Sequence, residues 1–232
     1  MAPATRPDVL VFDVNETLID IEALTPYFTE VFGDAGVLRE WFGQLVTYSM
    51  TVTVSDRYVD FFLLGQSVLR MIAAYRGVEL TDGDVAALAG AMATMPAHPE
   101  VARGLSRLRD DGYRLVALTN SPVREGRPSP LENAGLGSYF ERQFSVDQLR
   151  MFKPVPVLYR HTAHELGVRP GECMMVAAHA WDTVGAQAVG FGGALITRPG
   201  NAPLRAPGVP YPDFVASDLV DLSTQLARTF EK

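Results

Sequence analysis

Several short segments of the sequence place reactive or charged side chains directly after apolar runs or ahead of helix-like stretches. The residues are Asp13, Thr119, Asn120, Lys153, His179 and Asp182. They offer a carboxylate nucleophile, hydroxyl and amide donors, an ammonium, an imidazole and a second carboxylate. Asp13 by itself is also explained as a helix cap, because Asp is common at strand ends. The other residues favour a reaction in which a carboxylate attacks and a nearby cation keeps it ionised.

Apolar runs alternate with helix-like stretches along the chain, and this alternation predicts an α/β fold. The runs VLVF before Asp13, YRLVALT, CMMVAA and GGALIT lack polar alternation, which is typical of strands buried in a parallel sheet. Helical patterns between them end at Gly112, Gly167 and Gly190. We therefore expect an open, doubly wound parallel sheet, with the site outside the carboxyl ends of its strands.

Residues 20–96 contain helix-length stretches and no convincing buried strand. We expect residues 1–19 and 97–232 to form the α/β core, and residues 20–96 to form a helical cap inserted after the first strand. A cap there would lie above the mouth of the site, where closure can exclude water. The alternative is that these helices extend the core. The Pro-rich stretch from Pro199 to Pro212 is typical of an irregular surface connection.

Composition limits the kinds of partner. With 232 residues, 47% of them hydrophobic and 20% charged, the chain is long and apolar enough for one large domain with an insert. Its net charge of -7 argues against nucleic acid and anionic membranes as partners. No secretory signal or membrane-spanning run is present in the sequence, so we expect a cytoplasmic protein. The single cysteine, Cys173, lies in an apolar run and is expected to be a packing thiol.

The segments FDVNETL, LTNS, FKP and AHAWD, in this order, resemble the four motifs of the haloacid dehalogenase superfamily. SVDQLRMFKP, the early helical insert and GFGGALITRPGN are most similar to the type II 2-haloacid dehalogenases. The resemblance implies hydrolytic dehalogenation of a short 2-haloalkanoic acid without a cofactor. It assigns the attack on carbon to Asp13 and its electrostatic partner to Lys153, and it implies that Asp182 and His179 orient the water that cleaves the resulting ester.

The same resemblance suggests which residues hold the substrate or Asp13. They are Thr17, Asn15, Thr119, Asn120, Phe42 and Phe61. Phe42 stands where the family's cap carries a halide-binding Arg, with Arg39 and Arg57 as the nearest substitutes. Trp41, Tyr48 and Phe61 can line a halide pocket or simply pack in the cap.

His179 departs from the family pattern, which has Asn at this position. One hypothesis is that its imidazole takes a proton from the hydrolytic water, with Asp182 raising its pKa. The other is that it only shapes the substrate or halide pocket. Ala177 and Ala178 also depart from the pattern, because the family has serines there.

Two other functions remain as alternatives. One is a Mg²⁺-dependent phosphatase, which usually has a second Asp where this chain has Asn15. Asp182 lacks a nearby acidic partner, and Mg²⁺ prefers several oxygen ligands, so we expect no metal site, although Asp182 with backbone carbonyls can form a weak one. The other is a binding module that has lost turnover. The dehalogenases tend to form homodimers, but no residue here marks an interface.

Overall fold

A parallel sheet forms the centre of the computed structural model, which describes residues 5–122 and 126–230. Its strands are β1 (Val9–Phe12), β2 (Arg114–Thr119), β3 (Arg142–Ser145), β4 (Cys173–Ala177), β5 (Gly192–Ile196) and β6 (Phe214–Ala216). Within the described residues they lie in the order β3-β2-β1-β4-β5-β6, and every pairing is parallel. The predicted doubly wound α/β sheet is confirmed.

The central strands are apolar along their whole length because both faces of the sheet are covered. All four residues of β1 and all five of β4 are buried. Leu10 and Phe12 pack into the larger hydrophobic core, and Val9 and Val11 pack into a second core on the opposite face. Strands β3 and β6 were not predicted. They are short edge strands, and β3 begins with the exposed Arg142.

Helices surround the sheet and also form an insertion after β1, as predicted. In chain order they are α1 (Thr25–Phe32), α2 (Val37–Val54), α3 (Phe61–Arg76), α4 (Asp82–Ala93), α5 (Val101–Asp110), α6 (Pro130–Asn133), α7 (Pro156–Glu165), α8 (Ala180–Gln187) and α9 (Leu219–Phe230). Helices α1 to α5 all lie between β1 and β2 in the chain, and α5 packs against α9 and β2. The stretch from Pro199 to Pro212 has no helix or strand, as expected.

The two passages of chain between the sheet and the inserted helices run side by side. Ile19 pairs with Ala97 in an antiparallel bridge. On either side of it, the Asp20 amide donates to the Pro96 carbonyl at 2.8 Å and the His98 amide donates to the Leu18 carbonyl at 3.0 Å. These bonds support our proposal that the helical insert comprises residues 20–96 and the core the rest.

Two further properties bear on the expected class of protein. Within the described residues, no helix has both the length and the apolar character that crossing a membrane requires. Cys173 is buried in β4, and burial raises the pKa of its thiol to about 12. Its position agrees with the expected packing role.

Candidate active site

Asp13 follows β1, and the strands on either side of β1 bring the other predicted residues to it. Strand β2 ends at Thr119, next to Asn120, and β4 leads into His179 and helix α8. The Asp13 amide donates to the carbonyl of Val176 in β4 at 3.0 Å, which fixes the start of the loop. The site thus forms at the carboxyl edge of the sheet, as the fold class predicts.

Lys153 lies between two carboxylates and is not exposed to solvent. Its Nζ donates to Asp13 Oδ1 at 2.7 Å, to Asp182 Oδ2 at 2.6 Å and to the Leu118 carbonyl at 2.9 Å. These three acceptors use all three protons of the ammonium. Gly185 of α8 lets Pro154, the neighbour of Lys153, pack closely on this helix, because a Cβ at Gly185 would lie 2.5 Å from the Cβ of Pro154.

Burial and the neighbouring charges together shift the pKa values of Asp13, Lys153 and Asp182. Burial by itself would raise the pKa of Asp13, but the Lys153 ammonium and the neighbouring His179 outweigh it and hold that pKa well below its usual value. Burial opposes the charge on Lys153, yet the two carboxylates raise its pKa. Burial also raises the pKa of Asp182, and the negative charge of Asp13 adds to this effect. Asp13 is therefore the more acidic of the two carboxyl groups.

Asp182 is bound on both oxygens. Oδ2 accepts from Lys153, and Oδ1 accepts from the hydroxyl of Tyr159 at 2.6 Å. Both side chains are fully buried, and Tyr159 was missed from the sequence because it lies in the amphipathic pattern of α7, where a buried aromatic residue is expected. We expected Asp182 to orient water, whereas its observed contacts hold the lysine.

The predicted hydroxyl and amide residues separate into two pairs. Thr17 donates to Asp13 Oδ2 at 2.6 Å and accepts from the Ala178 amide at 2.9 Å. Asn120 accepts from the backbone amide of Lys153 at 3.1 Å. These two side chains contact the Asp13–Lys153 pair directly.

The other pair, Asn15 and Thr119, meets at Ser121. The Asn15 amide donates to the Ser121 hydroxyl at 3.1 Å, and the Ser121 backbone amide donates to Thr119 Oγ1 at 3.0 Å. Together with Val14 and other residues, Thr119 and Ser121 line a cavity of about 10 Å³, which leaves room for at most a single water.

His179 lies against the nucleophile and is almost fully buried. Its Nδ1 is 3.5 Å from Asp13 Oδ2 and makes no hydrogen bond within the described part of the chain, whereas Nε2 is 2.6 Å from Glu16 Oε2. The ring stacks on Trp181, with centroids 4.9 Å apart, and Phe42 lies 5.6 Å away on a tilted plane.

Burial would lower the pKa of His179, but the carboxylates of Asp13 and Glu16 raise it to about 9. The sequence-based prediction that Asp182 would have this effect is wrong. The oxygens of Asp182 face Lys153 and Tyr159, and the second carboxylate beside the imidazole is Glu16.

Glu16 is the functional candidate that the sequence reasoning overlooked. Its side chain is buried, it pairs with Arg39 of α2, and its backbone carbonyl lies 3.0 Å from Nε2 of His98. Burial would raise its pKa, but His179 and Arg39 lower it. The available signal was a charged residue inside the short turn after β1, three positions beyond the nucleophile.

The aromatic candidates of the insert differ in position, and Phe42 is the one that lies over His179. Phe61 packs on Phe152, with centroids 5.7 Å apart, and Trp41 is buried and donates to the Gly65 carbonyl at 2.9 Å. Tyr48 is partly exposed. Trp41 and Phe61 thus pack within hydrophobic surroundings, the alternative that the sequence left open.

The two arginines proposed as substitutes also differ. Arg39 reaches from α2 to Glu16 and to the carbonyl of Pro199 at 2.9 Å, so it joins the insert to the core. It also pairs with Glu22. Arg57 is exposed at the end of the turn that follows α2.

The reactive side chains are almost completely shielded from solvent. Asp13 is 4% exposed and His179 6%, while Lys153 and Asp182 have no exposed surface. A cleft of about 570 Å³ opens nearby, lined by Phe62 and other residues of the insert and by core residues that include Pro122 and Ser129, which also line the small cavity beside Thr119. Within the described residues, no group of three or more His, Cys, Asp or Glu side chains is arranged to hold a metal ion.

Comparisons with known proteins agree with this arrangement. A family model of haloacid dehalogenase-like hydrolases matches residues 7–190. (S)-2-haloacid dehalogenase 4A of Burkholderia cepacia is 32% identical over 195 residues, which cover 83% of this chain and 84% of that protein. Haloacetate dehalogenase H-2 of a Moraxella strain is 25% identical, covering 84% of this chain and 88% of that protein. The structure of L-2-haloacid dehalogenase from Xanthobacter autotrophicus with covalently bound chloropropionic acid superposes with a TM-score of 0.84 at 26% identity, covering 97% of this chain and 99% of that one.

Proposed function

The chain belongs to the haloacid dehalogenase-like hydrolase family, and we propose that it hydrolyses short 2-haloalkanoic acids through an ester formed on Asp13. The observation that carries this proposal is the buried contact between Lys153 and Asp13, 2.7 Å long. It supplies an ionised carboxylate in a site from which bulk water is largely excluded. Such a carboxylate is a competent nucleophile toward carbon.

In the first step, an oxygen of Asp13 attacks the carbon that carries the halogen. A carbon–oxygen bond forms, the carbon–halogen bond breaks, and the halide leaves with the bonding electron pair. Lys153 and Thr17 hold the two carboxylate oxygens in place, which reduces the entropic cost of alignment. This step takes up and releases no proton.

In the second step, water attacks the carboxyl carbon of the Asp13 ester. His179 accepts a proton from that water and then delivers one to the alkoxide of the 2-hydroxy acid as it leaves. Support comes from its Nδ1, which faces Asp13 at 3.5 Å and has no other hydrogen-bond partner among the described residues. Hydrolysis leaves Asp13 as a carboxylic acid, and its transfer of a proton to the imidazole restores the Asp13 carboxylate and the protonated His179.

We also propose which residues near the carboxyl edge of the sheet contact the substrate. We assign contacts with the substrate or its halide to Asn120, which contacts Lys153, and to Phe42, which lies beside the ring of His179. We assign them also to Asn15 and Thr119, which meet at Ser121 next to Asn120. The aromatic face of Phe42 gives an apolar wall beside the imidazole.

A panel of chloro-, bromo- and fluoroacetate and the two enantiomers of 2-chloropropionate tests the proposal. We expect the wild-type protein to release halide from at least one of them at equal rates with and without EDTA, and Asp13→Asn to release none. Single turnover in H₂¹⁸O should place the label on Asp13 first. Absence of halide from every substrate would contradict the proposal, as would label that enters the hydroxy acid directly. EDTA-sensitive hydrolysis of an aryl phosphate, without halide release, would indicate a phosphatase instead.

A further inference from the structure

We propose that Glu16 is the third member of a nucleophile–base–acid triad, Asp13–His179–Glu16, in which it positions and charges His179 for cleavage of the ester on Asp13. This inference rests on the proposed dehalogenation and extends it to a residue outside the predicted catalytic set. Glu16 acts through the imidazole, so its role is that of a positioning residue.

The geometry gives the imidazole one fixed nitrogen and one free nitrogen. Nε2 is held by Glu16 at 2.6 Å, and Nδ1 points to Asp13 with no hydrogen bond among the described residues. Trp181 and Phe42 limit rotation of the ring from its sides. A base needs this arrangement, because one nitrogen must be free for the proton of water while the other is oriented by an acceptor.

The backbone of Glu16 supports a functional reason for the side chain. Its φ is 66°, in the left-handed region that glycine adopts at little cost and that a glutamate rarely adopts. Two other non-glycine residues in the described chain have positive φ, Asp56 and Arg150, and both are exposed. Glu16 instead combines the unfavourable backbone with a buried charge. Such strain is typical of sites where the surrounding structure holds a residue for its chemistry.

The charges around the imidazole fit the two steps of the reaction. The carboxylates of Asp13 and Glu16 both contact the imidazole. Lys153 pairs with Asp13, and Arg39 pairs with Glu16. When Asp13 becomes an ester it loses its negative charge, so the pKa of His179 falls and its Nδ1 proton is released to solvent. Nδ1 then accepts a proton from the attacking water, and the Glu16 carboxylate stabilises the imidazolium that forms.

This sequence balances one proton for each turnover. The haloacid and water become the hydroxy acid, halide and one proton, which is the one that His179 releases after the ester has formed. Glu16 keeps its own charge throughout, because Arg39 holds it from the side of the insert. An amide at this position would orient the ring but could not stabilise its positive charge.

The test compares Glu16→Gln and Glu16→Gly with Asp56→Gly. Gln keeps the shape of the side chain without its charge, and Gly removes the side chain while relieving the positive φ, so the fold should persist. Asp56→Gly relieves a positive φ at an exposed position.

With chloroacetate in single turnover, we expect both Glu16 variants to release halide at close to the wild-type rate. Their Asp13 adduct should decay about 100-fold more slowly, the usual scale of general-base effects. Asp56→Gly should match the wild type in both steps.

A second measurement does not depend on activity. Titration of ¹⁵N-histidine spectra, with the His179 signal assigned from the His179→Asn variant, should show that Glu16→Gln moves the pKa of His179 from about 9 toward its ordinary value. An unchanged adduct lifetime in both Glu16 variants would overturn the triad even if the wild type dehalogenates. An unchanged His179 pKa in Glu16→Gln would overturn it as well. Absence of halide release by the wild type would instead refute the proposed function, and the titration would still test the pairing of Glu16 with His179.

Discussion

The Nζ of Lys153 and the Oδ2 of Asp182 lie 2.6 Å apart, and neither side chain has any exposed surface. With Asp13 on the other side, one ammonium is shared by two buried carboxylates. Because an uncompensated charge in the interior is costly, this cluster depends on all its members. Asp182 thereby determines where the lysine lies, and the lysine keeps the nucleophile ionised.

Lys153→Met should destabilise the protein by about 3–5 kcal/mol at neutral pH, because it leaves two buried carboxylates without their cation. Halide release should be lost. Burial already raises the folded-state pKa of Asp182, and loss of the ammonium should raise it further above the unfolded value of ~3.9, so the variant should gain stability as the pH falls from about 7 to 5. Urea unfolding at several pH values measures this. A variant that becomes less stable over that range would show that the ammonium does not compensate these charges.

Tyr159→Phe removes the hydroxyl that donates to Asp182 Oδ1. The buried acceptor loses its partner, and we expect a loss of about 1–3 kcal/mol in the free energy of unfolding. Tyr75→Phe is the matched control, since Tyr75 also donates to a carboxylate, that of Glu40, but is 57% exposed. Its effect should stay within about 0.5 kcal/mol. Equal effects of the two variants in chemical denaturation would argue against a structural role of the Tyr159 bond.

His179→Asn should slow ester breakdown more than ester formation, because the amide cannot accept the proton of water. Quenched-flow mass spectrometry should then find an adduct of substrate mass accumulating on the peptide that contains Asp13. Phe42→Leu is a useful comparison, because it changes the wall beside the imidazole and keeps the base. If His179 only shaped the pocket, both variants would alter substrate preference and neither would accumulate adduct.

The pKa of His179, raised to about 9, predicts how stability depends on pH. The folded state binds this proton more tightly than the unfolded state, whose histidine has a pKa of ~6.5, so the stabilisation is fully present below pH ~6.5 and is lost as the pH rises through about 9. Thermal unfolding between about pH 6 and pH 10 should show this decline in the wild type. The His179→Asn variant should lack the decline, and an identical pH profile in both proteins would contradict the raised pKa.

The fold and the main charge pair are predictable because both depend on strong local patterns. Uninterrupted apolar strands identify a sheet buried on both faces, and the ends of parallel strands meet at one edge, so Asp13 and Lys153 meet although 140 residues separate them. Edge strands β3 and β6 have no such pattern. Glu16 was missed because its role depends on a left-handed backbone and on burial beneath Arg39, and the sequence of a turn specifies neither.

The separation of Asp13 and Lys153 in the chain also matters during synthesis. Translation proceeds from the N-terminus, so the carboxylate and the helical insert emerge from the ribosome well before the lysine that neutralises Asp13. Tyr159 and Asp182 follow later still, and Asp182 binds both that lysine and the hydroxyl of Tyr159. A nascent chain that stops short of residue 153 lacks the ammonium that pairs with Asp13 at the end of β1. The complete charge cluster can therefore form only after the C-terminal part of the sheet has been synthesised.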